Sequence, residues 1–547
     1  MSATDIRDAV QEDEHGMKQH LTLRMIRVGA VALMLGLLAA AIYGRMMSFG
    51  LRRDEMMFVT PAELLGQWQL YRDFFYNHVP NSAWFFRGFH LLFEDQGLLG
   101  SARLGVFFAW LLLVSGLGWV TYRISHSAVL GLFFPVALMA CEPLLTQAGM
   151  AATNNLLPLP FAVLGLGLFV SETLGNRPRK IILVIAGICL SIAAGMKVSA
   201  IMFIPPIAIG AFFLPREMSS EYRLTKVVVP LVLGGLIGAV PLFWYLGADP
   251  QLFLAHVVKF HTGPHVEYWQ VNAASEPGLA MGLAGKVQLA YGAWLSGVGL
   301  VMTMVLFFLI WVALRDTSSG DVLEESYRGQ ILVVLGVLAL TAGMSLVPTP
   351  GFPQYYIQPL VCLPILCAIV YRRLLHVHRR EVMPIFGAGL LVLVLLGLPR
   401  LAPGLLALTE PGKFTTAKVA RGGEALRQVL AENGNSDGPV ATLFPLYPLE
   451  AGLPVYGEFA TGPFAYRIAP FTDPVLANEY QMVGEDGLTA LFDANPPSAF
   501  LLGYDPALEA PLQRYAEANG YQPVEVEGLK NRYGQGIVYM KDPEVSQ

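Results

Sequence analysis

The sequence predicts a polytopic α-helical membrane protein of about eleven transmembrane helices with a C-terminal extracytoplasmic α/β domain. Three observations carry this reading. Of 547 residues, 54 % are hydrophobic and only 14 % charged, where an ordinary soluble chain carries about 25 % charge. The apolar residues fall in runs long enough to cross a bilayer, and the basic residues between those runs alternate in number from one side to the other. From residue 404 onward the composition turns ordinary.

The spans are expected near 25–45, 103–121, 127–145, 154–173, 181–194, 198–214, 227–246, 288–311, 329–347, 354–371 and 382–400. Residues 1–20 are polar and acidic, and no small-residue cleavage site follows the first apolar run, so that run is read as a membrane helix and not as a signal peptide. The stretch 181–214 is too long for one span and is broken at Gly195, Met196 and Lys197 into two short helices.

Charge fixes the expected sidedness. With a cytoplasmic N-terminus, the segments 1–24, 122–126, 174–180, 215–226, 312–328 and 372–381 face the cytoplasm. They hold Arg123, Arg177, Arg179, Lys180, Arg216, Arg223, Lys226, Arg315, Arg328, Arg372, Arg373, Arg379 and Arg380. The short opposite turns 146–153, 195–197 and 348–353 contain one basic residue, Lys197. This is the positive-inside pattern, and it puts the long loops 46–102 and 247–287 and residues 404–547 outside. The chain is therefore read as a transmembrane domain, 1–403, followed by a soluble domain, 404–547. In the latter, helical patterns at 422–431 and 506–519 alternate with strand-like runs at 439–444, 498–503, 522–527 and 535–540.

A net charge of -5 leaves no polycation for nucleic acid. Cys141, Cys189, Cys362 and Cys367 all lie in apolar stretches and read as small hydrophobes in helices.

The candidate chemistry collects at the outer surface. Asp54 and Glu55 follow Arg52 and Arg53 just beyond the first helix, and carboxylates so near a bilayer are costly unless solvated, paired or used. Arg72, Asp73, Tyr76 and His78 come next on the same loop. The second long loop carries His256, Lys259, His261, His265 and Glu267. Its spacing matches no rigid zinc signature, and a cationic, hydrogen-bonding surface for a phosphate fits it better. Pro348, Pro350 and Pro353 stiffen a turn ahead of Gln354, Tyr355 and Tyr356. Lys197 is a lone outer cation, explained by snorkelling or by a lipid phosphate at that depth. Glu142, beside Pro143, reads as a packing group or part of the same cavity, and Asn154 and Asn155 as helix caps.

Taken together, the pattern resembles the GT-C fold glycosyltransferases, in particular the bacterial relatives of the protein O-mannosyltransferases and of the lipid A aminoarabinose transferase. The residues that carry the resemblance are the Asp54-Glu55 pair heading the first loop, the run Gly66, Leu70, Tyr71, Arg72, Asp73 and Pro80, the Gly195-Met196-Lys197 turn, and the stretch from Gln354 to Pro364. The resemblance implies a glycosyltransferase of the bacterial cytoplasmic (inner) membrane, with its C-terminal domain periplasmic. It implies transfer of a sugar from a polyisoprenyl-phosphate donor to an extracytoplasmic lipid, glycan or protein acceptor, with membrane lipids as surroundings and no nucleotide cofactor bound directly. By the same resemblance Asp54 matches the acid that activates the acceptor or supports a metal, and Glu55 its neighbour. Lys197, His256, Lys259 and His261 match regions that handle the donor phosphate. Arg72, Asp73, Tyr76, His78, Gln354, Tyr355 and Tyr356 are further substrate-binding candidates. Relatives often carry another acid in the second outer loop, whereas 146–153 has none and Asn154 and Asn155 stand nearby. A divalent cation, Mg or Mn, thus stays open.

The chemistry is consistent with one acid. A glycosyl phosphate has a good leaving group, so transfer needs a base for the acceptor and cations for the departing phosphate. The rival readings are a transporter or flippase for polyisoprenoid or glycan, and an envelope assembly protein. Transport favours ionisable residues at mid-membrane and repeated halves, and an assembly scaffold does not need a dense charged first loop.

Overall fold

The computed structural model describes residues 3–175, 177–276, 278–315, 325–435 and 437–541. Asn176 and residues 316–324, which fall in expected cytoplasmic segments, lie outside the described residues, as do Pro277 in the second long loop and 542–547 at the end of the last domain. Up to Ala407 the described chain is built of helices and the turns between them.

Among the described residues, six helices are long and apolar enough to cross a membrane: Arg24–Ser48, Glu94–Ser125, Gly297–Arg315, Tyr327–Leu346, Pro353–Arg373 and His376–Ala407. A seventh candidate, Ser220–Gly238 followed by Val240–Ala248, is bent by 58°. Pro241 explains the bend, because it lacks the N–H that would continue the helical ladder. Four more apolar helices are shorter: Ala128–Ala140, Pro158–Thr173, Lys180–Met196 and Val198–Phe213. Every expected span overlaps one of these helices, yet length qualifies only six or seven of them. A helix of 13 residues such as Ala128–Ala140 reaches about 20 Å, short of the roughly 30 Å hydrocarbon core. Of the eleven expected spans, six, or seven with the bent pair, are thus long enough among the described residues to cross the hydrocarbon core unaided.

Small residues set the closest packing. Gly44, on the helix Ala3–Ser48, faces Gly404 on His376–Ala407, and a Cβ on either would collide with the opposite backbone. The first and last helices of the bundle thus approach as only glycine allows. The break at Lys197 is confirmed: the residue is extended (φ -151°, ψ 124°) between Lys180–Met196 and the 3-10 turn Val198–Phe203. Gly195 sits directly on the Asn81 side chain, where a Cβ would not fit. This contact lays the Lys197 turn against the first outer loop.

The C-terminal region is a small α/β unit. Strands β1 (Val440–Ala441), β2 (Ala499–Leu502), β3 (Gln522–Asn531) and β4 (Gly534–Met540) form one sheet in the order β1-β2-β4-β3. β1 pairs parallel to β2, and β2 and β3 both pair antiparallel to β4. The central β2, fully buried, reads as an uninterrupted apolar run. The helices Thr415–Glu432 and Pro506–Ala518 match the two helical patterns of the sequence. The unit is tied onto the outer loops by Arg53–Asp505 (2.8 Å), by the Thr60 hydroxyl donating to Ala460 O (2.7 Å) and by the Tyr480 hydroxyl donating to Ala255 O (3.1 Å). Glu450 accepts from the Leu98 and Leu99 amides at 3.0 and 3.1 Å, capping the long helix Gly97–Ser125.

Candidate active site

The helix Arg53–Val59 starts directly after the first membrane helix, and its first turn holds Asp54 and Glu55. Successive helical residues point about 100° apart, so the two carboxylates part company. Glu55 turns inward. Its Oε1 and Oε2 accept from Arg103 Nε and Nη2, both at 3.0 Å, while the Ala152 and Arg52 amides donate to the same carboxylate at 2.9 Å each. Both side chains of the pair are fully enclosed. Arg103 also donates to Met46 O and Phe49 O at 2.8 Å, so this pair joins the first helix, the first loop and the second outer turn.

Asp54 faces the other way and is half-buried. Gln147 Nε2 donates to its Oδ2 at 2.5 Å. Arg467, Glu276, Arg52 and Lys197 lie within electrostatic reach. Burial, opposed by Arg467, Arg52 and the Gln147 hydrogen bond, holds the Asp54 pKa above the usual carboxylate value. That makes it a stronger base than an exposed aspartate.

Lys197 comes within electrostatic reach of Asp54 from the helix break. Its Nζ donates to Asn155 Oδ1 at 2.5 Å and lies 5.0 Å from the Tyr355 ring centroid. Asn155 is itself fixed by Thr153, its Nδ2 donating to Oγ1 at 2.8 Å. Burial pulls the ammonium down to about 8, with Asp54 opposing. The group is cationic at neutral pH, has a neutral amide as its close partner, and keeps further N–H donors for an anion.

The remaining candidates divide. His78 stacks on Phe58 (4.6 Å between centroids) and sits 5.6 Å from His261, which lies 5.6 Å from His265. Burial first, then neighbouring positive charge, holds His78 and His265 well below the usual imidazole value, and burial lowers His261. These imidazoles are neutral at pH 7, so they supply hydrogen bonds and not charge. His256 is enclosed by Tyr71, Phe75 and Tyr480, with its Nδ1 on Leu252 O at 3.0 Å. It has no surface left to offer a phosphate, and Lys259 points outward, exposed. Among the described residues neither of them makes a hydrogen bond, an ion pair or a ring contact with Lys197. Tyr76 and Tyr356 are fully buried, Tyr76 on Ser82 (2.7 Å) and Tyr356 against Trp294, so both belong to the framework. Gln354 is half-buried. Arg72 and Asp73 line a separate surface cavity of about 490 Å³ with Trp68, Gly457, Glu458 and Gln481. Glu142 pairs with Arg400 at the rim.

Three residues of the site escape the sequence reading: Gln147 on Asp54, Arg103 behind Glu55, and Arg467 from the C-terminal unit. Arg103 carried a signal, since an arginine inside an apolar span requires a partner. Gln147 and Arg467 carried none.

A divalent ion does not fit this donor set. Glu55 is taken by Arg103, Asp54 lies within electrostatic reach of the cations Lys197 and Arg467, and its close partner is an amide. Among the described residues, no three His, Cys, Asp or Glu side chains converge as a metal site.

No protein-family model matches the sequence, and no curated protein matches it. Solved structures do match the fold. ArnT from Cupriavidus metallidurans bound to undecaprenyl phosphate superposes with a TM-score of 0.60 at 14 % identity, covering 93 % of this chain and 98 % of that one. The same protein in its apo state gives 0.61 at 13 % identity, covering 94 % and 98 %. Helix bundle, outer loops and C-terminal α/β unit thus share one fold with ArnT.

Proposed function

We propose that this protein is a membrane glycosyltransferase that moves a sugar from a polyisoprenyl-phosphate donor to an extracytoplasmic acceptor. The observation that carries the reading is that Asp54, bound by Gln147, and Lys197, bound by Asn155, stand within electrostatic reach of one another at the outer helix ends. One is a carboxylate with a raised pKa, and the other a cation whose close partner is a neutral amide. The fold shared with ArnT, whose structure holds undecaprenyl phosphate, supports a lipid phosphate as the ligand.

In this reading Lys197 binds the phosphate that links sugar to lipid. Asp54 accepts the proton of the acceptor hydroxyl as its oxygen attacks the anomeric carbon. The bond from that carbon to the phosphate oxygen breaks, and the lipid phosphate departs with the electron pair, its charge met by Lys197. Direct displacement inverts the anomeric centre and needs one base, not the carboxylate pair of a hydrolase. Gln147 orients the base, and the Glu55–Arg103 pair holds its helix. The bacterial inner membrane, with a cytoplasmic N-terminus and an outer C-terminal domain, is the setting that the loop charges support.

The deciding measurement is donor-dependent sugar transfer by purified Asp54→Asn protein. The substitution keeps size and removes the charge. Turnover is expected to fall by roughly 10²-fold or more, with donor binding retained. A folded variant with near-normal turnover would remove the assignment.

A further inference from the structure

The first outer loop and the C-terminal unit enclose a surface cavity of about 490 Å³ that neither Asp54 nor Lys197 lines. Trp68, Arg72 and Asp73 come from the loop, and Gly457, Glu458 and Gln481 from the unit. The chain turns sharply to build it. Tyr71 stands in the left-handed region (φ 71°) with its hydroxyl donating to His78 O at 2.6 Å, so its ring is buried while Arg72 and Asp73 stay exposed. Asp73 Oδ2 accepts from the Gln69 amide at 2.7 Å and closes this turn. On the other wall Gln481 also has a positive φ, 51°, just past the helix Pro474–Glu479, a place where glycine is the usual occupant. Gly457 lies tight on the loop: a Cβ there would come to 2.8 Å from Asp73 O, with the Trp68 ring 3.9 Å away. A larger residue would fill the space beside the indole.

The charges of this cavity do not neutralise one another. Among the described residues Arg72 makes no ion pair or side-chain hydrogen bond, although two carboxylates line the same space. Elsewhere in the C-terminal unit exposed arginines do close on acids, Arg514 on Glu485 and Arg427 on Glu424, both at 2.6 Å. Among the described residues Glu458 is half-buried without a side-chain partner, and the Trp68 N–H donates to nothing. Gln481 reaches Asn478 O only at 3.4 Å, which leaves its own carbonyl open. One cation beside two anions does not suit an anionic ligand, and Arg72 in the same space opposes a cationic one. A neutral polyol suits the set, because each hydroxyl can donate to a carboxylate and accept from a guanidinium, amide or indole N–H. The electron-rich face of an indole likewise receives the C–H face of a sugar ring. The volume falls within the roughly 300–1,000 Å³ of small-molecule sites, enough for a mono- or disaccharide.

We propose that this cavity is a binding site for a neutral saccharide, distinct from the groups around Asp54 and Lys197. Trp68 packs against the sugar ring, Asp73 and Glu458 accept from its hydroxyls, and Arg72 and Gln481 donate to them. Because its walls come from both the loop and the C-terminal unit, an occupied site also ties the two together. The proposal does not rest on the transferase reading.

Equilibrium binding to the purified full-length protein tests it, read by saturation-transfer NMR and calorimetry. The neutral probes are cellobiose, lactose, mannobiose and diacetylchitobiose, and methyl glucuronide is the anionic comparison. At least one neutral probe is expected to bind with a Kd of about 1 mM or tighter, and more tightly than the glucuronide. Arg72→Gln and Glu458→Gln should each weaken that binding by about 10-fold or more, the range for hydrogen bonds to charged groups. Trp68→Leu should weaken it as well, and should that variant fail to fold, the two exchanges at polar positions decide. Asp54→Asn and Lys197→Met should bind the probe as the wild type does. No binding of any neutral probe up to about 10 mM, or tighter binding of the glucuronide, overturns the proposal. So does binding that is unchanged in Arg72→Gln and Glu458→Gln, or lost in Asp54→Asn, since the sugar then sits elsewhere. A protein that binds the probe through Arg72 and Glu458 but transfers no sugar keeps this site and loses the transferase reading alone, and one that transfers sugar but binds no probe loses this site alone.

Discussion

Arg103 and Glu55 meet as a fully enclosed two-pronged ion pair, with both bonds at 3.0 Å. The neighbouring Asp54 is held outward by the same short helix. The pair therefore predicts a division of effects between adjacent carboxylates. Glu55→Gln leaves a buried guanidinium without its counter-charge, a loss of about 3–5 kcal/mol, and should lower thermal stability and yield. The double substitution of Glu55→Leu with Arg103→Met removes both charges and should recover much of that stability, although the Met46 and Phe49 carbonyls lose a donor. Thermal unfolding of single and double variants measures this. A Glu55→Gln protein of wild-type stability would show that the pair is not what holds the helix.

The pH profile of kcat/KM should be bell-shaped. Asp54 acts as a base only when deprotonated, and its raised pKa keeps the proton on to higher pH, so the acid limb should lie above the ordinary carboxylate value of about 4. Lys197 binds phosphate only when protonated, so activity should fall as pH rises through about 8. Lys197→Arg carries a group that stays charged beyond about pH 12, and whatever activity it retains should lack the alkaline limb. An alkaline limb that persists unchanged in Lys197→Arg would assign it to another group.

Much of this architecture could be read from one-dimensional signals. Apolar run length found the helices, and alternation of turn chemistry with short apolar runs found the β2, β3 and β4 strands and both long helices of the outer unit. Lys197 stood out as a single cation in otherwise uncharged outer turns, and Asp54 by its place beside the first span. What failed were groupings drawn from proximity along the chain. His256 and Lys259 are three positions apart, yet the helical turn Ala255–Lys259 buries one among Tyr71, Phe75 and Tyr480 and exposes the other. Asp54 and Glu55 are adjacent, and one is half-buried while the other is sealed. Gln147 and Arg467 join the site only through tertiary packing, since neither an amide in a short turn nor an arginine in a distant domain leaves a periodic trace.

The contact between Lys197 and Asn155 separates a phosphate site from a snorkelling lysine. Asn155 gives Lys197 an oxygen at 2.5 Å without neutralising it. Asn155→Asp keeps the shape of that contact and adds a negative charge beside the ammonium. The new carboxylate stabilises the protonated lysine and should move the alkaline limb upward from about 8. The same carboxylate repels an incoming phosphate, so affinity for polyisoprenyl phosphate should drop by roughly tenfold, a cost of about 1.4 kcal/mol. Lys197→Met should weaken it at least as much, and Lys259→Met, on the exposed face of its helix, should leave it unchanged. Snorkelling predicts the opposite: with no phosphate at the site, Asn155→Asp would simply strengthen a local ion pair and leave lipid-phosphate affinity where it was. Equilibrium binding of polyisoprenyl phosphate to the three purified variants decides between them, and an Asn155→Asp protein that binds as tightly as the wild type would move the donor site away from Lys197.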